Sequence, residues 1–167
     1  MKIQLVEIDE GSQEPLPTLF QDYVLEMCQY LDPEDAEKQS LNAAAILQRY
    51  WQNKHRWAYL IMADRQIAGF CLLRVYPQET DTFDIDQFFV TTRFRRRGIG
   101  RVALLELVRK HPGRWLIRVL KTNSKALAFW LDVVTEVSDG DYQLTADQVD
   151  MDFVRFCTRT RQSARVD

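Results

Sequence analysis

Residues 88–110 read FFVTTRFRRRGIGRVALLELVRK, and they carry most of the information about the fold. A β-rich run ends at Val90, and a loop that contains four arginines follows it. Two glycines, Gly98 and Gly100, then open a pattern of apolar residues at helical spacing. The first N–H groups of a helix have no intrahelical partner and lie at the positive end of its dipole, so they attract anions. The stretch therefore predicts a strand, a basic loop and a helix start suited to a diphosphate.

Two general interpretations of the arginine-rich loop are open at this point. A run of charges is most often a solvated surface, and the arginines of residues 93–97 fit that description. The sequence GIGRVA at residues 98–103 also matches the dinucleotide-binding pattern G-x-G-x-x-A. In dinucleotide folds, however, the glycines follow the strand almost directly, whereas the seven residues 91–97 separate Val90 from Gly98 here. The dinucleotide match is therefore weak.

A third interpretation comes from the joint pattern of two segments. The motif R-x-x-G-x-G at residues 95–100, about five residues beyond a strand, resembles the pyrophosphate loop of the GNAT N-acetyltransferase family. Residues 114–120 predict a further strand, and NSKALAFW at residues 123–130 follows it. The family's segment Asn-x-x-Ala-x-x-Leu/Phe-Tyr/Trp follows its fifth strand in the same way. The resemblance covers roughly residues 57–130 and implies an acetyl-CoA-dependent N-acyltransferase.

The resemblance also implies where acetyl-CoA, the cosubstrate, would bind. Backbone groups of residues 88–90 would hydrogen-bond the acetyl carbonyl and the pantetheine arm, because the family's fourth and fifth strands part there and leave amides unpaired. The N–H groups of residues 95–101 would hold the pyrophosphate, which glycines without a Cβ allow to approach closely. These two segments comprise Phe88, Phe89, Val90, Arg95, Arg96, Arg97, Gly98, Ile99, Gly100 and Arg101.

The asparagine of the second segment has two roles open to it. By the resemblance, Asn123 would bond the pantetheine, and Ala126 and Phe129 would pack beside the coenzyme. Asn123 also stands directly before Ser124, where a helix N-cap is expected. The two roles are compatible with each other.

Proton transfer needs residues outside these segments. No Ser or Cys nucleophile stands at recognisable spacing from a His and an acid, so we expect the amine to attack directly. An ammonium group cannot attack, and a side chain or a water chain must accept its proton. Strand alternation places Asp84 and Asp86 on one face of a predicted strand with Phe88.

Asp84 is the first candidate for the general base and Asp86 is the second. Asp84 lies six residues before Val90, where family members that use a strand carboxylate place their base. The alternative is that both carboxylates only attract a cationic substrate or face solvent.

Two residues depart from the family pattern. Trp130 stands seven residues after Asn123, where the family often places a tyrosine that protonates the leaving thiolate. An indole carries no useful acidic proton, so water or Tyr142 would have to supply it. Arg118 stands on the fifth strand, where some relatives have a catalytic glutamate.

Periodicity along the rest of the chain predicts one mixed α/β domain, and the resemblance implies that this domain has the GNAT fold. The predicted strands are residues 3–8, 57–62, 66–76, 83–90, 114–120 and 149–158, with a polar break at residues 77–82. The predicted helices are residues 18–31, 35–50, 99–110 and 124–133. Consecutive hairpin-like strands indicate a mixed, mostly antiparallel sheet flanked by helices. The expected domain covers residues 1–160, and residues 161–167 are expected to fray.

Composition excludes several other classes of protein. Of 167 residues, 46% are hydrophobic and 28% are charged, as in ordinary globular domains. The net charge of −2 gives no electrostatic reason to bind nucleic acid or an anionic membrane. No segment approaches the roughly 20 apolar residues that cross a bilayer, and we expect a cytoplasmic protein. Cys28, Cys71 and Cys157 are expected to be buried free thiols, and no metal site is expected.

The resemblance thus implies transfer of an acetyl group from acetyl-CoA to a primary amine in a ternary complex. The acidic residues Asp81, Asp84 and Asp86 favour a small cationic amine as the acceptor. The partner would be a small molecule, and a homodimer is compatible with the sequence. Two alternatives are a catalytically silent coenzyme A-binding or regulatory module, which Trp130 favours, and a nucleic-acid-binding domain that uses the arginine run.

Overall fold

Seven strands and four α-helices occur in residues 1–147 and 149–158, the part of the chain that the computed structural model describes. The strands are β1 (Ile3–Ile8), β2 (Arg56–Ala63), β3 (Gln66–Tyr76), β4 (Glu79–Val90), β5 (Gly113–Leu120), β6 (Tyr142–Ala146) and β7 (Met151–Thr158). The helices are α1 (Pro15–Met27), α2 (Pro33–Gln52), α3 (Ile99–Lys110) and α4 (Ser124–Val137). The tail predicted at residues 161–167 lies outside the described residues.

All seven strands belong to one sheet, in the order β1-β2-β3-β4-β5-β7-β6. Neighbouring strands run antiparallel except β4 and β5, which run parallel because α3 crosses over between them. The predicted fold class, a mixed and mostly antiparallel sheet flanked by helices, is confirmed.

Two strands differ from the sequence prediction. β4 begins at Glu79, because a tight turn at residues 77–78 pairs Tyr76 with Glu79 and the polar residues 79–82 continue the strand. The polar break predicted at residues 77–82 was therefore wrong beyond the turn. The sequence prediction did not include β6, a short edge strand with mostly exposed residues, although Tyr142, Leu144 and Ala146 alternate there with polar residues.

Prolines begin both N-terminal helices. Pro33 is the first residue of α2, and the Asp32 side chain caps this helix by accepting a hydrogen bond from Asp35 N at 2.9 Å. Proline is tolerated at this position because its missing N–H would have no partner in the first turn. The helix therefore starts two residues before residue 35, the predicted start.

The helices form one layer on each face of the sheet. α1 and α2 cover one face, where Phe20, Phe70 and Phe89 are buried in one hydrophobic cluster. α3 and α4 cover the other face, where Leu107 and Trp115 are buried in a second cluster. None of the helices in the described ranges is long and apolar enough to span a membrane.

The three cysteines differ in exposure. All are free thiols, and Cys71 is buried, Cys28 is half-buried and Cys157 is exposed. The expected burial was wrong for Cys157, because it alternates with the buried Phe156 along β7 and faces away from the core.

β4 and β5 are paired along only part of their length. Their parallel pairing covers four residue pairs and ends at Ile85 and Ile117. Beyond this point β4 remains paired with β3 as far as Val90, and β5 remains paired with β7 as far as Leu120. The two halves of the sheet therefore diverge, and a gap opens between the free edges of β4 and β5.

We predict that Gly69→Ala destabilises this part of the sheet. A Cβ on Gly69 would clash with the Phe89 carbonyl oxygen and would lie 2.9 Å from the carbonyl carbon. Overpacking of this kind costs about 1–3 kcal/mol, which lowers Tm by several degrees in a chain of this length. Thermal melting followed by circular dichroism measures the change. Gly11→Ala is the control, because its Cβ would lie 3.4 Å from the nearest atom; equal melting temperatures for both variants would contradict the prediction.

Candidate functional site

A cleft of about 260 Å³ occupies the gap between β4 and β5. Residues 85–88 and 117–120 form its walls at the level of the sheet. On the face that α1 and α2 cover, the cleft is lined by Tyr23, Met27, Leu31 and Gln39. On the face that α3 and α4 cover, it is lined by Asn123, Ala126 and Trp130. The cleft therefore passes through the sheet and connects the two helical layers.

A β-bulge at Asp86 sets which side chains face which layer. The register moves from Leu72 opposite Gln87 to Leu73 opposite Ile85, so that Asp86 is the extra residue of β4. Asp86 contacts the α2 side, whereas the Phe88 ring packs edge-on against Trp130 of α4 with centroids 5.0 Å apart. The prediction that Phe88 shares the face of the two carboxylates was therefore wrong, because strict alternation does not allow for a bulge.

Asp84 is fully buried between two guanidinium groups. It accepts a hydrogen bond from Arg74 Nε at 2.7 Å and two more from Arg118, from Nε at 3.1 Å and Nη2 at 3.0 Å. Burial opposes the charge of Arg118, but the nearby carboxylates, Asp84 above all, outweigh it together and raise the pKa of this arginine. Both oxygens of Asp84 are thus engaged, and its side chain does not reach the cleft.

Asp86 lines the cleft and is surrounded by hydrogen-bond donors. The Tyr50 hydroxyl donates to Asp86 Oδ2 at 2.6 Å, and Arg118 Nη2 lies 3.5 Å from Oδ1. Arg56 and Arg74 each have a nitrogen 3.8 Å from this carboxylate. Burial, together with the charge of Asp86, raises the pKa of Tyr50, so that its hydroxyl stays protonated and keeps donating.

Six consecutive backbone N–H groups stand free at the start of α3. Within the described residues, the N–H groups of residues 96–101 donate no hydrogen bond, and the first that does is Val102 N, to Gly98 O at 3.1 Å. Arg96 and Gly98 have φ values of 57° and 72°, and such left-handed residues let successive N–H groups converge on an anion. A Cβ on Gly98 would meet nothing within 4 Å, so the space beside this glycine is open. The segment therefore fits a diphosphate.

The arginine side chains of the loop divide into two groups. Arg95 bonds Val90 O at 2.8 Å and forms an ion pair with Glu26, and Arg101 forms an ion pair with Glu136. These pairs hold the loop against α1 and α3 against α4. Arg96 and Arg97 are exposed, and neither has an ion-pair partner among the residues that the structure describes. Arg93 has no ion-pair partner there either, but its Nη2 donates to Gln66 Oε1 at 2.7 Å, so the cationic side chains left for an anion are those of Arg96 and Arg97.

Gly100 lets α3 approach α4 closely. A Cβ on Gly100 would lie 2.9 Å from Phe129 Cζ and 3.6 Å from Phe88 Cε1. Phe129 in turn packs edge-on against Trp130 with ring centroids 4.9 Å apart. Gly100 therefore has a packing role at the junction of loop, cleft and α4, beside any contact with a phosphate.

Asn123 caps α4 and lines the cleft at the same time. Its Oδ1 accepts a hydrogen bond from Ala126 N at 3.2 Å, which confirms the predicted N-cap. Its Nδ2 donates to no side chain or backbone group within the described ranges. That amide is available to a ligand, and the contact with pantetheine stays a prediction.

Sequence reasoning missed Tyr23, which counted there only as an apolar position of α1. Tyr23 is the cleft's one tyrosine among the described residues, and burial and the charge of Asp86 raise its pKa. A polar hydroxyl in an otherwise apolar helical stripe was the available signal, because such a group needs a polar partner or solvent. Tyr142 lies elsewhere, in a separate pocket of about 240 Å³ beside Trp115 and Arg155.

The acetyltransferase (GNAT) family model matches residues 20–132 of the chain. No curated protein matches the sequence. The match covers the strands, the loop and the helix from which the cleft is built.

Solved structures of acetyltransferases share the fold. An acetyltransferase from Thermus thermophilus has a TM-score of 0.68 at 14% identity and covers 94% of this chain and 97% of its own. The PaiA N-acetyltransferase from Thermoplasma acidophilum, in complex with coenzyme A, has a TM-score of 0.67 at 15% identity, with 93% and 99% covered. Spermidine N-acetyltransferase from Vibrio cholerae, in complex with coenzyme A and spermine, has a TM-score of 0.66 at 11% identity, with 93% and 95% covered.

We predict that Asp84→Asn destabilises the protein by about 3 kcal/mol or more, because it removes the fully buried carboxylate that Arg74 and Arg118 share. Urea denaturation followed by tryptophan fluorescence measures the loss. Asp81→Asn is the matched control. Asp81 and its partner Arg114 are both largely exposed, so the loss of this ion pair changes the free energy of unfolding little. If both variants unfolded at the same urea concentration, Asp84 would not have this structural role.

Proposed function

The chain belongs to the acetyltransferase (GNAT) family, and we propose that it transfers an acetyl group from acetyl-CoA to a primary amine by direct attack in a ternary complex. The observation that carries this proposal is the continuity between the free N–H groups of residues 96–101 and the cleft through the sheet. Phe88 joins the two, because it lines the cleft and lies 3.6 Å from a Cβ built on Gly100. One end suits a diphosphate, and the other leaves room for a second substrate.

We assign the coenzyme to the α3 and α4 side of the cleft. The loop at residues 95–101 would hold the diphosphate with its N–H groups, helped by the two exposed arginines. The free edge of β4 at residues 88–90 would bind the acetyl carbonyl and the pantetheine arm through backbone groups. Asn123 Nδ2 would bond the pantetheine, with Ala126 and Phe129 beside it.

Acetyl-CoA supplies an acetyl group activated as a thioester. The acceptor nitrogen first loses a proton, because an ammonium group has no lone pair. A C–N bond then forms, the C–S bond breaks and the nitrogen loses its second proton to water, while backbone N–H groups on the free edge of β4 stabilise charge on the carbonyl oxygen. The thiolate that leaves has a pKa of about 8.5 and takes a proton from water. Placing both reactants in one cleft supplies much of the acceleration.

Of the two candidate carboxylates, we propose Asp86 as the group that binds the amine and relays its proton to solvent. Asp86 lines the cleft, whereas both oxygens of Asp84 are bonded to arginines below it. We propose Asp84 as a positioning residue that fixes Arg74 and Arg118. Trp130 occupies the position from which a tyrosine would serve as the acid, and water takes that role here.

The acceptor is assigned only as a primary amine of a small molecule. The preference for a cationic amine rested on Asp81, Asp84 and Asp86, and each of these carboxylates lies within 3.8 Å of an arginine. Their negative charges are therefore compensated within the protein. A cytoplasmic location and a homodimer stay predictions.

A second candidate function is a coenzyme A-binding module without turnover. Trp130 favours it, because the indole is buried against Phe88 and supplies no acidic proton. A thiol-release assay with a panel of primary amines separates the two functions. An enzyme releases free coenzyme A with at least one amine, whereas a module binds the coenzyme and releases none.

We predict that Gly98→Asp weakens coenzyme A binding at least tenfold, because it places a carboxylate beside the expected diphosphate. Gly98→Asn is the matched control, since Asn has the same shape and the same tolerance for the left-handed φ of 72° but no charge. Isothermal titration calorimetry measures both affinities. Pantetheine, which lacks the diphosphate, should bind both variants equally. Equal coenzyme A affinities in the two variants would place the diphosphate elsewhere.

We predict that Asp86→Asn lowers kcat about 10²-fold and leaves the affinity for coenzyme A unchanged, because the variant loses the proton acceptor on the side of the cleft away from the coenzyme. Thiol release and calorimetry measure the two quantities on the same preparation. Turnover within twofold of the wild-type rate would remove Asp86 from the mechanism.

A further inference from the structure

Five ionic side chains meet where β4 and β5 begin to part, and cations outnumber anions among them. The members are Arg56, Arg74, Asp84, Asp86 and Arg118, which are linked by nitrogen-to-oxygen distances of 2.7 to 3.8 Å. Three positive charges face two negative charges, which leaves one positive charge over. Their side chains are between 0% and 20% exposed, so solvent screens this excess only weakly.

Neighbouring ionic side chains do not cancel the excess. Arg155 pairs with Glu79 at 2.8 Å, and Arg114 pairs with Asp81 at 3.1 Å, so that each of these pairs is neutral by itself. The Tyr50 hydroxyl donates to Asp86 and satisfies that carboxylate further. The excess charge therefore has no counter-ion among the described residues that contact the cluster.

Arg118 is the member that presents this charge to the cleft. Its Nε and Nη2 atoms hold Asp84, and the ring of Tyr76 lies 5.7 Å from its Cζ atom, which fixes the orientation of the guanidinium group. Its Nη1 donates no hydrogen bond within residues 1–147 and 149–158. No buried polar side-chain atom there lacks a partner, so Nη1 is open to solvent.

We propose that the acceptor amine carries a carboxylate, which the open end of Arg118 binds. This inference rests on the proposed acetyl transfer. A carboxylate matches the single excess positive charge, whereas a phosphate dianion would exceed it. The side of the cleft away from the coenzyme is lined by Tyr23, Met27 and Leu31, and these side chains suit a short aliphatic chain between the carboxylate and the amine.

The wild-type protein tests this inference without any substitution. Thiol release is measured with acetyl-CoA and glycine, β-alanine, 4-aminobutanoate and 6-aminohexanoate, each beside its own carboxamide, and with putrescine. We expect at least one amino acid to exceed its carboxamide tenfold or more in kcat/KM, because a hydrogen bond to a charged group is involved. Putrescine should be turned over more slowly than that amino acid.

The outcomes separate the inference from the function on which it rests. If carboxamides or putrescine are turned over as fast as the amino acids or faster, the inferred carboxylate on the acceptor is wrong. The proposed acetyl transfer is then unaffected. Absence of thiol release with every amine, including those of the wider panel, overturns both.

Arg118→Lys then tests the residue itself. Lysine keeps a positive charge for Asp84 but lacks the Nη1 donor that would bind the carboxylate. KM for the preferred amino acid should therefore rise at least tenfold, while kcat/KM for its carboxamide stays within about threefold of the wild-type value. Arg114→Lys is the control, because Arg114 forms an exposed pair outside the cleft. Equal losses for the amino acid and its carboxamide would assign Arg118 a structural role only and overturn its role in recognition.

Discussion

Hydrogen bonding between β4 and β5 stops at Ile85 and Ile117, and the free strand edges beyond that point make the site possible. Free edges leave backbone donors and acceptors without partners, which is costly unless solvent or a ligand satisfies them. The ion cluster lies at the branch point itself. Asp84 of β4 binds Arg74 of β3 in one half of the sheet and Arg118 of β5 in the other. The two halves are thus tied together directly below the place where they part.

The bulge at Asp86 follows from the same geometry and determines its chemical use. Without an extra residue, Phe88 would face α1 and α2 with the carboxylates. With it, Phe88 turns toward Trp130 and Gly100, and Asp86 stays on the other face at the cleft. One inserted residue therefore gives each face of the sheet its own set of groups. Apolar rings lie beside the free N–H groups on the face of α3 and α4, and charged side chains lie on the face of α1 and α2.

The sequence predicted those parts of the protein that depend on local signals. The bounds of α3 matched because glycines, apolar spacing and the His111-Pro112-Gly113 break all lie within one short stretch. The cap at Asn123 was predicted for the same reason. The pairing of Asp84 with Arg74 and Arg118 could not be predicted, because it joins three strands that are distant in sequence. The bulge was equally hidden, since alternation in one strand does not show the register of its neighbour.

Arg118 and Trp130 stand at opposite ends of the cleft, and together they limit what the protein's own groups contribute to chemistry. At neither position does the side chain exchange a proton near neutral pH. Asp86 and Tyr23 are the remaining titratable groups at the cleft. Asp86 is surrounded by cations, and burial keeps Tyr23 protonated. Apart from proton transfer through Asp86, acceleration then depends on fixed N–H donors, on water, and on the alignment of two substrates that enter from opposite faces of one sheet. A rigid branch point serves that purpose, because a small displacement of β5 against β4 would change both binding surfaces together.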